Sequence, residues 1–142
     1  MFTIAAPFLD TNILLYAISR APEEAARSER ALQLLDQDDC VVSVQVLQEF
    51  YVQATRATRP DAIEHGQAVA LIESWLRFRV QDLTVPILEA ALASRERYRI
   101  SYWDAAVIEA ARASGCQDLL SEDLQDGRDY EGIRVSNPFR GM

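Results

Sequence analysis

The 142-residue sequence has no lysine, one histidine and two cysteines, so all 14 of its basic residues are arginine. The missing lysine excludes chemistry built on a phosphate-loop lysine, on a Schiff base or on the lysine of aspartyl-phosphate enzymes. The single histidine, His65, falls on a stretch read as helix and away from every motif below, which makes it a surface residue rather than a base. Cys40 and Cys116 stand far apart without Cys or His neighbours, so neither a zinc knuckle nor a disulfide framework is expected, only two buried, reduced thiols. No apolar run approaches the roughly 20 residues of a membrane-spanning helix, and no signal-peptide pattern opens the chain. A soluble, cytoplasmic protein is expected. Positive charge is scarce: the formal net charge is -8. A delocalised nucleic-acid binder usually carries a basic face, which this balance disfavours. An acidic excess fits carboxylates that converge on a divalent-cation site, where the ion offsets their charge.

With 49% hydrophobic residues, the chain has the material for one domain over 1–142 with a sizeable core. Short apolar segments alternate with helical patterns. Ile4 to Leu9 reads as a buried strand running through Asp10-Thr11-Asn12 into a helix from Ile13. Pro22-Glu23-Glu24 opens a helix that ends near Asp36. Cys40 to Val42 reads as a short strand, and Ser43 as the N-cap of a helix from Val44 to Arg56. Asp61 is read as the cap of a long helix through Ile63, Val69, Ile72, Trp75, Leu76 and Phe78, followed by a strand at Val80 to Leu83. Thr84 and Pro86 start a helix reaching Tyr98, and Ser101 caps another that ends at Gly115. Leu119-Leu120 reads as a strand, Ser121 to Asp129 as a polar loop, and Ile133 to Val135 as the last strand. This alternation predicts an α/β fold with a central, mostly parallel sheet of four or five short strands flanked by helices. In such sheets ligands bind beyond the carboxyl ends of the strands.

Four acids meet or approach that position. Asp10 directly follows a strand, although an Asx-turn or helix cap explains it equally well. Asp104 lies in the first turn of a helix, where the helix dipole alone would favour it; Tyr102, Trp103 and the run Ala105-Ala106-Val107 suggest that this helix end is buried. Glu49 lies at the border of an apolar helix face, where a solvated glutamate is as natural as a ligand. Asp123 follows the Leu119-Leu120 strand in a loop that also holds Glu122 and Asp126, and the sequence does not say which of the three acids matters. Hard divalent cations take oxygen ligands, so these carboxylates together suit Mg²⁺ or Mn²⁺ better than zinc.

Phe8-Leu9-Asp10-Thr11-Asn12, Gln48-Glu49-Phe50, Tyr102-Trp103-Asp104-Ala105 and Ser121-Glu122-Asp123 together resemble the PIN-domain ribonucleases, particularly the VapC-type toxins of toxin-antitoxin pairs. The resemblance spans nearly the whole chain, with the first and third motifs the most specific. It implies a three-layer PIN-like fold, a homodimer, an antitoxin partner that occludes the site, and endonucleolytic cleavage of RNA dependent on Mg²⁺ or Mn²⁺. It also implies that Asp10 and Asp104 are the principal metal ligands, that Glu49 and Asp123 complete the cluster, and that Asn12 and Ser121 hold it by hydrogen bonds. The expected mechanism is attack on phosphorus by a metal-activated water. Arg77, Arg79, Arg95, Arg97 and Arg99 are candidates for steering the RNA backbone, with salt-bridge partnership the competing explanation for most of them.

Two rivals follow from the same residues. An aspartyl-nucleophile phosphatase also begins with a strand and an Asp, but Asp10-Thr11-Asn12 lacks a second acid at its third position and the lysine is missing. A non-catalytic PIN-like interaction module is disfavoured by the full set of four acids.

Overall fold

The computed structural model describes residues 6–142. The first strand, β1, spans Phe8–Leu9; Ile4 and Ala5, expected as part of it, lie outside the described residues. The chain continues through α1 (Thr11–Ala17), a 3-10 turn at Pro22–Glu24, α2 (Ala25–Leu35), β2 (Val41–Ser43) and α3 (Val44–Ala54). It then forms α4 (His65–Trp75), β3 (Arg79–Gln81), α5 (Val85–Tyr98), α6 (Tyr102–Ala113), β4 (Asp118–Leu120), β5 (Asp129–Tyr130) and β6 (Ile133–Ser136).

The six strands lie in the order β3-β2-β1-β4-β6-β5. All neighbours are parallel except β5, which pairs antiparallel with β6. The sheet therefore holds one strand more than the upper expectation of five. The extra one, β5 (Asp129–Tyr130), overlaps the expected polar loop at Asp129, and two residues are too few to show a period in the sequence. Its Tyr130 is fully buried and stacks edge-on against Tyr98 at 5.0 Å.

Parallel strands need both faces covered. In this chain α1 packs on α2 and α3, α3 packs on α4, and α5 packs on α6, giving the three-layer α/β arrangement. Phe8, Leu9, Val41, Val42 and Leu119 are the fully buried middle of the sheet. Ile13 and Leu14 of α1, Val46 and Phe50 of α3, and Ile108 of α6 close over them. Each such side chain, taken out of water, contributes about 1.5–3 kcal/mol of transfer free energy. Cys40 and Cys116 are free thiols inside this core, and burial pushes the Cys40 thiol up to about 11.

Short polar side chains set several helix starts. Ser43 accepts from the Val46 amide at 3.2 Å, Thr84 from Ile87 at 3.3 Å and Ser101 from Asp104 at 3.1 Å. The expected helix from Asp61 is the exception: α4 begins only at His65. The Ile63 amide bonds back to the Ala54 carbonyl at the end of α3 at 2.9 Å, holding this stretch in a turn. Asp61 is instead paired with Arg59 at 2.7 Å. The helix also stops at Trp75, leaving Leu76 and Phe78 in the turn into β3.

The strand order changes direction at β1: later strands leave on one side as β2 and β3, and on the other as β4 and β6. A crevice opens at such a switch, beyond the carboxyl ends of the two central strands. Asp10 follows β1 and Ser121 follows β4, so both stand at its mouth.

Candidate active site

Asp10 does two things. As the N-cap of α1 it accepts the Thr11 amide through Oδ1 at 2.8 Å. Its other oxygen, Oδ2, accepts the Ser121 hydroxyl at 2.7 Å. The side chain is buried, and burial raises its pKa to about 6 from 3.8. The Ser121 and Thr11 bonds pull it back, while the charges of Asp123 and Glu49 push it further up.

Ser121 is a junction. Besides donating to Asp10, its oxygen accepts from the Asp123 amide at 3.1 Å and from Asn12 Nδ2 at 3.3 Å. Asn12 also donates to Asp123 Oδ2 at 3.3 Å, and its Oδ1 accepts the Glu122 amide at 3.3 Å. The loop after β4 is thereby tied to the first turn of α1, with Asp123 facing the same cavity as Asp10.

The other two acids come from helices. Glu49, on α3, accepts the Thr11 hydroxyl at 2.8 Å through Oε2 and the Gln45 amide nitrogen at 2.9 Å through Oε1. Asp104 stands in the first turn of α6, half-buried and above the ordinary carboxylate range. Burial is the main cause, opposed by the bond to Ser101 and reinforced by Asp123 and Glu49.

Asp10, Glu49, Asp104 and Asp123 thus line one cavity of about 80 Å³, with Thr11, Asn12 and Val107 in its wall. No arginine among the described residues lines it. Among the described residues, no three acidic, histidine or cysteine side chains stand close enough to cage an ion as they are. The donors form an open ring of oxygens, which suits Mg²⁺ or Mn²⁺: such ions keep several waters and need only one or two carboxylates directly. Four acids in one small cavity, two of them with raised pKa values, and no cation in the described wall are a donor set that a hard divalent ion fits.

The loop's three acids separate clearly. Glu122 turns away to Tyr16, whose hydroxyl donates at 2.5 Å, and to Arg27 at 3.3 Å. Asp126 accepts the Asn137 amide at 2.9 Å and pairs with Arg140 at 2.8 Å. Only Asp123 faces the cavity.

Two contacts escaped the sequence. Thr11 and Gln45 hold Glu49: nothing local announces the first contact, which joins residues 38 apart in the chain, whereas the i,i+4 spacing of Gln45 and Glu49 on α3 is a signal that could have found the second. The burial expected around Asp104 is also corrected. Ala105, Ala106 and Val107 are buried, but Trp103 is 63% exposed, because the first turn of α6 points its indole outward past the cavity rim. The arginines proposed to steer RNA are mostly engaged: Arg97 with Glu131 at 2.6 Å, Arg95 with Glu96 at 3.8 Å and Arg77 with Asp38 at 3.6 Å. Arg79 is the first residue of β3, at the amino end of the parallel strands, whereas the acids lie beyond the carboxyl ends. His65 is exposed at the start of α4, where its Nδ1 meets the Tyr51 hydroxyl at 2.8 Å.

No curated protein matches the chain. Among solved structures it is similar to a toxin-antitoxin complex from Klebsiella pneumoniae, with 21% identity and a TM-score of 0.67 over 94% of this chain and 98% of that one. It is similar to Mycobacterium tuberculosis VapC20, a Sarcin-Ricin loop cleaving toxin, at 24% identity and a TM-score of 0.66 over 83% and 92% of the two chains. VapBC2 from Rickettsia felis, bound to a DNA fragment from its promoter, shares 17% identity with a TM-score of 0.64 over 93% and 98%. At these identities the likeness is one of fold. The family model of the PIN domain matches residues 8–125, a span that contains all four acids. The chain belongs to the PIN domain family.

Proposed function

We propose that this chain is a single-domain endoribonuclease dependent on Mg²⁺ or Mn²⁺, and the toxin of a toxin-antitoxin pair. One observation supports it above all: four carboxylates from four separate elements share a small cavity at the switch point of the sheet, with no cation in its described wall. A divalent ion, when bound, would offset that charge, lower the pKa of a water and stabilise the phosphoryl oxygens of a phosphodiester. Asp10 and Asp104 would hold it, with Glu49 and Asp123 completing the acidic wall. Ser121 and Asn12 fix Asp10 and Asp123 relative to each other, and Thr11 with Gln45 fixes Glu49. The chain needs no histidine or lysine base for this chemistry. Aspartyl-phosphate chemistry fits worse, because the chain has no lysine to meet the phosphoryl group.

The partners follow by analogy. Structural neighbours include toxin-antitoxin complexes, which supports a cognate antitoxin for this chain. Val85, Leu88 and Leu92 are exposed at i, i+3 and i+7 of α5, an apolar stripe that supports a homodimer.

RNA cleavage in Mg²⁺ or Mn²⁺ tests the reading. Asp10→Asn and Asp104→Asn should each lower the rate by about a hundredfold or more, and EDTA should abolish cleavage. Undiminished cleavage by both variants would sink the mechanism.

A further inference from the structure

A groove of about 610 Å³ opens directly from the acid cavity; Glu49, Gln53 and Trp103 line both. Its volume is that of a ligand cleft, ~300–1,000 Å³. One wall is the face of α3 that carries Gln48, Val52 and Gln53, with Arg56 just beyond the helix end; the other is Trp103. Trp103 is 63% exposed and Val52 54%, so two large apolar groups meet water on the same groove.

The indole is held in place rather than loose. Tyr102 packs edge-on against it, with centroids 5.1 Å apart at 76°. Gln45 donates to the Trp103 backbone carbonyl at 3.3 Å while also holding Glu49, so the backbone that carries the indole and a site acid share one brace. Arg56 is exposed and, unlike Arg77, Arg95 and Arg97, forms no ion pair among the described residues. It stands roughly two helical turns from Glu49, about 10 Å along α3.

We infer that this groove is a subsite for single-stranded RNA beside the scissile phosphate, with one unpaired base stacked on Trp103 and a neighbouring phosphate met by Arg56. The inference rests on the nuclease reading above and names where the substrate strand lies. An exposed aromatic face offers a base sequence-tolerant stacking. Gln48 and Gln53 each carry a donor and an acceptor that match base edges. In a chain of net charge -8, an unpaired arginine at the groove is the local counter-charge a polyanion requires. Continuity with the acids favours RNA over a partner peptide, since a strand being cut must leave the cavity along a wall, and this wall carries an exposed indole, whereas Tyr16 in the pocket beside Asn12 and Asp123 is half-buried and bonded to Glu122.

The test is fluorescence anisotropy with a fluorescein-labelled single-stranded RNA decamer in Mg²⁺, on the full chain carrying Asp10→Asn to stop cleavage. Adding Trp103→Ala should weaken binding about tenfold, while Trp103→Phe should stay within about threefold of the parent. Arg56→Gln should weaken binding and reduce the slope of log K against log salt by about one. The same sequence as a duplex, its bases already stacked, should be insensitive to Trp103→Ala. Binding within about twofold of the parent after Trp103→Ala, or equal losses on single strand and duplex, overturns the subsite and leaves the groove to a partner peptide. Wild-type cleavage separates the two readings. Trp103-dependent binding without any cleavage overturns the nuclease and keeps the subsite, whereas cleavage with Trp103-independent binding overturns the subsite alone.

Discussion

Ser121 carries more of the site than its size suggests. Its hydroxyl is fully buried and serves Asp10, Asn12 and the amide of Asp123 at once. Ser121→Ala would leave those donors without their acceptor and remove the one donor to Asp10 Oδ2, at a cost of about 2–3 kcal/mol. The same bond lowers the Asp10 pKa. Losing it raises that pKa above about 6, so the acidic limb of the cleavage profile should move to higher pH. Thermal denaturation and a pH-rate profile read the two effects separately; an unmoved acidic limb would count against Asp10 as the titrating group. Thr11→Val tests the other tether. It deletes the donor to Glu49 at nearly constant volume, so kcat should fall while stability changes by about 1 kcal/mol or less. An unchanged kcat would show that Gln45 holds Glu49 alone.

At the scale of elements, caps show why part of the fold was legible before any coordinates. Ser43, Thr84 and Ser101 each announce a helix through a side chain that reaches only three residues ahead, and such local chemistry is visible in sequence. The strand-turn-helix around Asp10 was legible for the same reason. In the structure one Asp10 oxygen caps α1 and the other accepts from Ser121 at the cavity, so the cap is shown and the ligand role belongs to the proposed function. Asp61 misled because the deciding bond, from Ile63 to the end of α3, reaches back nine residues. Glu49 and Asp123 could be named as candidates but not chosen, because the contacts that bring them to the cavity, with Thr11 and Asn12 of α1, join residues 38 and 111 apart in the chain. Trp103 misled in a different way: aromatic residues are usually buried, and the sequence cannot tell a wall from a core. Ser101→Ala measures one cap directly. It should destabilise the chain by about 1 kcal/mol, and because the Ser101 bond lowers the Asp104 pKa, it should also raise that pKa. Chemical denaturation gives the first effect, and side-chain carboxyl NMR of Asp104 gives the second; an Asp104 shift curve identical to wild type would contradict an effect of the Ser101 hydroxyl on the carboxyl, and the cap would then be read from stability alone.

For the whole molecule, the crowded acids make stability depend on pH and, under the proposed function, on metal. Asp10 titrates at about 6 in the folded chain against 3.8 as its reference. Between those values the native state binds a proton that the unfolded state has released, so stability falls as pH rises from about 4 to about 6 and stays low above it. A shift of this size corresponds to about 3 kcal/mol for a fully buried group. Other carboxylates titrate in the same range, so the measured quantity is the difference from Asp10→Asn, which should open between pH 4 and 6 and then level off. A divalent ion reverses the loss only where the ring is ionised. At a hundred times its Kd it stabilises the native state by about 2.7 kcal/mol. Mg²⁺ should therefore raise Tm by several degrees at pH 7.5 and by almost nothing at pH 5, where Asp10 holds its proton. Asp10→Asn should remove the rise at pH 7.5. Differential scanning calorimetry with and without Mg²⁺ at the two pH values decides the matter, and an equal rise at both would mean that the ion binds acids other than this ring.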